Sequence, residues 1–441
     1  MNIENSNIPN DNFGEYKIGL CGFRNIGNTC YMNSILQLLI HSKLLVNFLL
    51  AKSNPNIESS DDSTAQYEKY LDENIIERLG EADRKRLGLN PNDKVQISSK
   101  QFENIKESSL ILSLADIINT IMYKGTSIIT PISFKQCIDK KIPGLRGTSQ
   151  QDSHELLNGI LDVLIEETGN DSDPSINNVP QSIKDYFEYF QQMKKKIAET
   201  NDFNEKKEIA IKFNEYKKNN NDIINKFNGL KYMSNVFGKK RTNSLDTSST
   251  GYNPMIFNLL SFNIDTFKCE ECAFESCKYE YTTILSLSVK PTLKECFEQF
   301  IEEEIVDRRC EICKCTKSKK RKALWRPGMI LFIQLCRFNN LPNGRVWKNN
   351  QEVEIPEQID ISEFCDKSMG TDTTVSYVYR LKGISNHLGS LFGGHYTADC
   401  LSIIDNKTWY HFDDSRVGKH QNSDIDKSAA YILMYEMEPI N

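Results

Sequence analysis

Gly22-Phe23-Arg24-Asn25-Ile26-Gly27-Asn28-Thr29-Cys30-Tyr31-Met32-Asn33-Ser34-Ile35-Leu36-Gln37 is the stretch on which the reading of this chain turns. Gly27 permits a tight turn. Asn28 or Thr29 can cap a helix that continues through Ile35, Leu36, Leu39 and Ile40. Cys30 then stands in the first helical turn, where the positive end of the helix dipole favours a thiolate. The same turn leaves backbone N–H groups that can receive an oxyanion. Taken alone, Cys30 reads first as a buried apolar filler, the ordinary fate of a lone cysteine. A thiol nucleophile needs a base, so the far end of the chain decides.

The chain has 6 histidines. His395 follows Gly393 and Gly394 at the mouth of a predicted strand, and two glycines there let another backbone approach closely, as a substrate main chain must. Eighteen positions later (413 − 395), Asp413 lies in Trp409-Tyr410-His411-Phe412-Asp413-Asp414, a second predicted strand. If the two strands run antiparallel side by side, Asp413 can hold the His395 ring and stabilise its charged form. His387 reads as structural, His411 as a plain strand side chain, and His41 and His420 as solvated.

Cys269-Glu270-Glu271-Cys272 and Cys310-Glu311-Ile312-Cys313 are two C-x2-C knuckles, 37 residues apart (310 − 272 − 1) and each bracketed by strand-like sequence. Two thiolates from each tight turn complete a tetrahedral zinc site, with the knuckles at the tips of neighbouring hairpins. Four thiolates leave no position for water, so the expected role of the ion is structural. Cys277 and Cys315 lie close by in sequence as additional thiols.

Composition sets limits. The 441 residues carry a formal net charge of -6, which argues against a dedicated nucleic-acid binder. The most apolar segment, 35–51, is interrupted by Gln37, His41, Ser42, Lys43 and Asn47, so it reads as a buried helix rather than a membrane span. The N-terminal residues have neither a basic start nor an apolar run, which argues against a secretory signal. An odd number of cysteines, 13, spread over such a length reads as reduced thiols in a cytoplasmic or nuclear protein.

Along the chain, residues 1–20 form a polar lead, and helix formers dominate from 21 to 50. Residues 52–107 are polar and charged, like an insertion. Apolar spacing returns at 110–122, and Leu156, Leu157, Ile160, Leu161 and Leu164 make one face of a helix over 149–167. Residues 168–250, rich in Asn, Lys, Asp and Ser, read as a second insertion, helical between about 183 and 218 and otherwise disordered. Beyond Pro254 the sequence turns to β-branched and aromatic strands. Helices early and strands late predict an α+β enzyme with a cleft between the halves.

Together these segments resemble the ubiquitin-specific proteases, a papain-like family of deubiquitinating enzymes. The Cys box spans 22–37. A second box, QQDSHELLNGILDVL, spans 150–164. The His box is YRLKGISNHLGSLFGGHYTADC, the Asp box WYHFDDSRV and the closing strand AAYILMYEM. The resemblance covers most of 20–436 and implies one catalytic domain over 21–436 with a helical thumb (about 21–170), zinc-tipped β fingers (about 255–335) and a β-rich palm (about 336–436). It implies that Cys30 is the nucleophile, His395 the base and Asp413 its orienting acid. Asn25 matches the oxyanion-hole side chain, and Asp414 a second acidic position beside it. Asp152 and Glu155 match acidic residues that hold the basic tail of ubiquitin, while Gly393 and Gly394 line its entry. Cys269, Cys272, Cys310 and Cys313 match the ligands of one structural zinc ion. The implied partners are ubiquitin and ubiquitinated proteins, with no nucleic acid and no membrane, and any activating partner is unknown. The implied reaction is thiol hydrolysis after the terminal glycine of ubiquitin, through a thioester. The chain departs from the family pattern at Cys336, where Lys is usual, and at Ser153, where Ala is usual.

Overall fold

The computed structural model describes residues 20–51, 109–168, 181–219, 259–340, 346–366, 376–390 and 393–438. Residues 1–19 of the polar lead, the insertion at 52–107 and the 169–180 and 220–250 parts of the second insertion lie outside them. In chain order the elements begin with strand β1 (Gly22–Phe23) and helices α1 (Cys30–Ile40), α2 (Lys43–Ala51) and α3 (Leu110–Lys124). Strand β2 (Ile128–Ile129) and helices α4 (Ile132–Lys141), α5 (Ser153–Thr168), α6 (Gln181–Glu199) and α7 (Phe203–Asn219) follow. Strands then dominate: β3 (Ser261–Cys269), β4 (Glu275–Thr282), β5 (Ile284–Ser288), helix α8 (Leu293–Phe300), β6 (Glu304–Asp307), β7 (Lys317–Arg326) and β8 (Ile330–Cys336). The last are β9 (Phe338–Asn340), β10 (Val346–Lys348), β11 (Gln358–Asp360), β12 (Val378–Ser390), β13 (Gly393–Leu401), β14 (Trp409–Asp413), β15 (Arg416–His420) and β16 (Ala430–Met437). Helices early and strands late is the predicted α+β order.

The chain divides into two compact units. The first holds residues up to 167, 340–348 and 382–434. At its centre is α1, whose eleven residues are all buried. A helix apolar or satisfied on every side belongs in a core rather than at its surface. Its polar residues are pegs: Gln37 Nε2 donates to the Cys21 carbonyl at 2.8 Å, Asn33 Nδ2 to the Phe23 carbonyl at 3.3 Å, and Ser34 shares a hydroxyl bond of 3.0 Å with Ser385 on β12. His41, expected to be solvated, is fully buried at the end of α1 instead. Its Nδ1 meets the Gln37 carbonyl at 2.8 Å and its ring lies 5.1 Å from that of Phe412.

Antiparallel strands β12, β13, β14 and β15 form the sheet of this unit, with α1 packed on β13. The helices are tied to one another by Glu167. At the end of α5, its carboxylate accepts from the Leu110 and Ile111 amides and the Ser109 hydroxyl, each at 3.0 Å, and pairs with Lys141 at 3.1 Å. A carboxylate on the first amides of α3 satisfies orphan donors and opposes the helix dipole, an effect of about 1 kcal/mol or more when partly buried.

In the second unit, β4-β3-β7-β6 form an antiparallel sheet, and β5 pairs with β8 in parallel. Helices α6 and α7 confirm a helical stretch in the second insertion, but they are packed. Tyr186, Met193, Ile197, Ala210 and Phe213 share a buried cluster with Phe274, Ile312 and the knuckle cysteines. Phe213 stacks on Phe274 at 5.9 Å, and Asn214 Nδ2 donates to the Ala273 carbonyl at 2.6 Å.

Candidate active site and metal centre

The loop before Cys30 is organised by one side chain. Asn25 Oδ1 accepts from the Gly27 amide at 3.1 Å and the Thr29 amide at 3.0 Å. Gly27 and Asn28 take left-handed backbone angles, φ 114° and 51°, which suit a glycine and an asparagine. Thr29 occupies the N-cap position of α1, yet its side chain caps nothing. The hydroxyl is engaged in the loop, accepting from the Ile26 amide at 3.0 Å. The predicted side-chain cap is therefore not made, because the loop competes for the same oxygen.

Cys30 is buried, 4% exposed. Burial raises its thiol above the ordinary value, and the Asp414 charge adds to that; the Tyr396, Tyr31 and Cys30 backbone amides work in the opposite direction. The helix terminus thus acts as expected, but desolvation outweighs it in the free protein. Tyr396 is the neighbour of His395 on β13, so α1 brings the sulfur to the strand that carries the imidazole.

Strands β13 and β14 pair antiparallel with Ala398 opposite Phe412. His395 Nε2 and Asp413 Oδ1 meet at 2.6 Å. That bond commits Nε2 and leaves Nδ1 for proton exchange. Asp414, just past the strand, bridges two residues: Asn25 Nδ2 at 3.0 Å and Asn33 Nδ2 at 2.7 Å. Gly22 permits this approach, since a Cβ there would lie 2.6 Å from the Ser415 carbonyl oxygen.

The two glycines before His395 play different parts. A Cβ on Gly393 would meet open space, whereas one on Gly394 would lie 2.4 Å from His387 Nε2 and 2.5 Å from the Leu388 carbonyl oxygen. Gly394 thus makes room for the protein's own His387. That ring is 3% exposed and sits 4.7 Å from the Tyr396 ring. The Gly394 carbonyl accepts from Gln150 Nε2. Gln150 lies in the second box, but nothing in its local sequence marks it out for this contact.

Asp152 directly precedes α5. It accepts from the His154 amide at 2.7 Å and, with both carboxylate oxygens, from the Tyr431 hydroxyl at 2.9 and 3.0 Å. Its carboxylate is therefore a helix cap anchored to β16, while Glu155 is exposed one turn on.

In the second unit the four knuckle thiols converge. Cys269 and Cys313 Sγ lie 3.4 Å apart, Cys272 and Cys310 Sγ 3.6 Å, and all four sulfurs fall within 4.8 Å of one another. The two turns repeat one geometry. The Ala273 amide donates to the Cys269 carbonyl and Lys314 to Cys310, and both Ala273 and Lys314 are left-handed, φ 56° and 65°. Tetrahedral bonds of about 2.3 Å put sulfurs about 3.8 Å apart, so the cluster fits a metal ion with little movement. Among the described residues no helix is long and apolar enough to cross a membrane.

A family model described as ubiquitin carboxyl-terminal hydrolase matches residues 21–435. A probable ubiquitin carboxyl-terminal hydrolase of Acanthamoeba polyphaga mimivirus is 25% identical, with 98% of this chain and 93% of the viral protein covered. Ubiquitin carboxyl-terminal hydrolase 2 of Rattus norvegicus is 26% identical over 95% of this chain, which spans only 54% of that relative. In fold, the chain is similar to a protein of the SAGA Ubp8/Sgf11/Sus1/Sgf73 DUB module solved with ubiquitin aldehyde, at a TM-score of 0.59 and 20% identity, covering 97% of this chain and 71% of the other. Every residue named in the site lies inside the matched range, and the α+β fold agrees. The chain belongs to the ubiquitin carboxyl-terminal hydrolase family, as a member of the ubiquitin-specific protease type of deubiquitinating cysteine peptidases.

Proposed function

We propose that this chain hydrolyses the isopeptide or peptide bond after the C-terminal glycine of ubiquitin, with Cys30 as nucleophile, His395 as base and Asp413 as its orienting acid. The observation that carries the reading is the 2.6 Å bond between His395 Nε2 and Asp413 Oδ1, on strands packed against the helix that begins with Cys30. His395 Nδ1 takes the thiol proton as the sulfur attacks the carbonyl carbon, and returns it to the leaving amine. Water then attacks the thioester, giving its proton to His395 and releasing the ubiquitin carboxylate and the thiol. Asn25 Nδ2 and the Cys30 amide stabilise the oxyanion, with Asp414 positioning Asn25.

Glu155 is the exposed acid available to a basic ubiquitin tail, and Asp152 shapes that site through its cap and Tyr431. The open space over Gly393 suits a substrate backbone, which favours a Gly-Gly tail over bulkier peptides. Cys269, Cys272, Cys310 and Cys313 hold one zinc ion, which ties the two hairpin tips together and takes no part in the chemistry.

Ubiquitin bearing a C-terminal electrophile tests the reading. A covalent adduct on the native protein that vanishes in Cys30→Ala supports it; an adduct on another cysteine, or faster reaction with a ubiquitin-like modifier carrying the same warhead, overturns it.

A further inference from the structure

Two imidazoles converge on one carboxylate oxygen of Asp399. Asp399 on β13 is 1% exposed. His411 Nδ1 on β14 lies 2.7 Å from its Oδ1, and His420 Nδ1 on β15 lies 2.9 Å from the same atom. The strand register explains the meeting. Asp399 stands opposite His411, and His420 stands opposite Trp409, two residues from His411 and therefore on the same face. Gly418, opposite His411, adds no side chain to that face. The second carboxylate oxygen is held by Asn386 Nδ2 at 2.6 Å, which fixes the plane of the group.

Hydrogen bonding accounts for part of this cluster only. His411 Nδ1 is aligned on Asp399 Oδ1. His420 Nδ1 is buried and close, yet makes no aligned hydrogen bond among the described residues. A nitrogen within reach of an oxygen but aimed past it is what two ligands pointing at a common third atom look like. The three donor atoms lie within 4.8 Å of one another. Zinc bonds of about 2.0–2.2 Å to nitrogen and oxygen separate ligand atoms by about 3.2–3.5 Å, so each imidazole nitrogen needs to part from the carboxylate oxygen by less than about 1 Å.

We propose that Asp399, His411 and His420 form a second metal site that takes a divalent transition ion of the zinc class, with a fourth position left for water. Two imidazoles and one carboxylate suit such an ion; calcium and magnesium require oxygen-rich sets. Asn386 is the outer partner that orients the carboxylate, as ligating carboxylates generally require. The ion fastens together β13, β14 and β15, and so braces the strands that carry His395 and Asp413. The site is separate from the four knuckle sulfurs and differs from them in donor chemistry.

That difference supplies the test. The full chain is stripped of metal and titrated with Co²⁺. A four-thiolate site gives an intense near-ultraviolet thiolate-to-cobalt band, whereas a nitrogen and oxygen site gives only weak visible bands. The expected result is two equivalents bound by the native protein. In His411→Gln and in His420→Gln the second equivalent binds at least tenfold more weakly while the thiolate band is unchanged, and a cooperative thermal melt of each variant shows that it folds. Uptake of a single equivalent by the native protein, accompanied by the thiolate band, overturns the proposal. So does a second equivalent that persists in both variants.

Discussion

Asn25 Nδ2 donates to Asp414 Oδ2 at 3.0 Å, joining residues 389 positions apart. One amide hydrogen of Asn25 is thereby committed and its orientation fixed, leaving the other for a developing oxyanion. Asn25→Ala is expected to lower kcat by about 10²–10³-fold, with KM nearly unchanged. Asp414→Ala, which removes the positioning contact together with the bond from Asn33, is expected to cost less, about tenfold. A fluorogenic ubiquitin substrate measures both. Unchanged kcat in Asn25→Ala would remove that residue from the oxyanion site.

In the free protein, burial holds the Cys30 thiol above its ordinary range. Near neutral pH it is therefore protonated, and the thiolate fraction rises about tenfold per pH unit. The rate of Cys30 alkylation by iodoacetamide, taken as the native rate minus that of Cys30→Ala, is expected to climb steadily from pH 7 to 9. A rate already flat below pH 7 would mean that a thiolate–imidazolium pair is stored before substrate arrives.

His387 is held neutral, its value pushed down from 6.5 to about 4 by burial and then by Lys348. As pH falls below 6.5 the unfolded chain takes up a proton that the native ring refuses, so stability declines until pH reaches about 4. The loss from this residue is about 3 kcal/mol. Urea unfolding at pH 7 and 4.5 should show a smaller acid loss in His387→Gln than in the native protein. Equal losses would mean that the ring is protonated in the fold.

Gly394→Ala would drive a methyl into the His387 ring and the Leu388 carbonyl, whereas Gly393→Ala has room. The first substitution is expected to cost about 1–3 kcal/mol of stability as well as activity. The second is expected to leave stability within about 1 kcal/mol and to raise KM for ubiquitin conjugates. Thermal melts and steady-state kinetics separate them, and the reverse ordering would contradict the packing.

With zinc on the four knuckle sulfurs, as proposed, its chelation should release the shared core of α6, α7 and the hairpin tips. A fall in Tm of more than about 5 °C is expected, with a rise in binding of a hydrophobic dye. Cys313→Ala, at a half-buried ligand, should reproduce both. An unchanged melt after verified metal loss would show that the four sulfurs contribute nothing to stability.

Local signals made part of this legible in the sequence. The turn before Cys30, the paired C-x2-C spacing and the strands around His395 and Asp413 each act over a few residues, where chain geometry is set by neighbours. What stayed hidden depends on distant partners. The burial of His41 comes from packing against Phe412, and the link between His411 and Asp399 from a strand register that no single segment specifies. The capping role of Asp152 was missed because a helix starting at 149 would place it inside, whereas α5 begins at Ser153. The packing of α6 and α7 is not legible locally because their aromatic face meets residues some sixty positions away, as Asn214 meets Ala273.

The stacking of Phe213 on Phe274 has a consequence for how this protein ages. Helices α6 and α7 lay an aromatic wall against the knuckle cysteines, which peroxide would otherwise reach, and sulfinic products there cannot be reversed by ordinary reductants. A version of the chain trimmed of 181–219 is therefore expected to lose those cysteines to oxygen faster than the intact chain does.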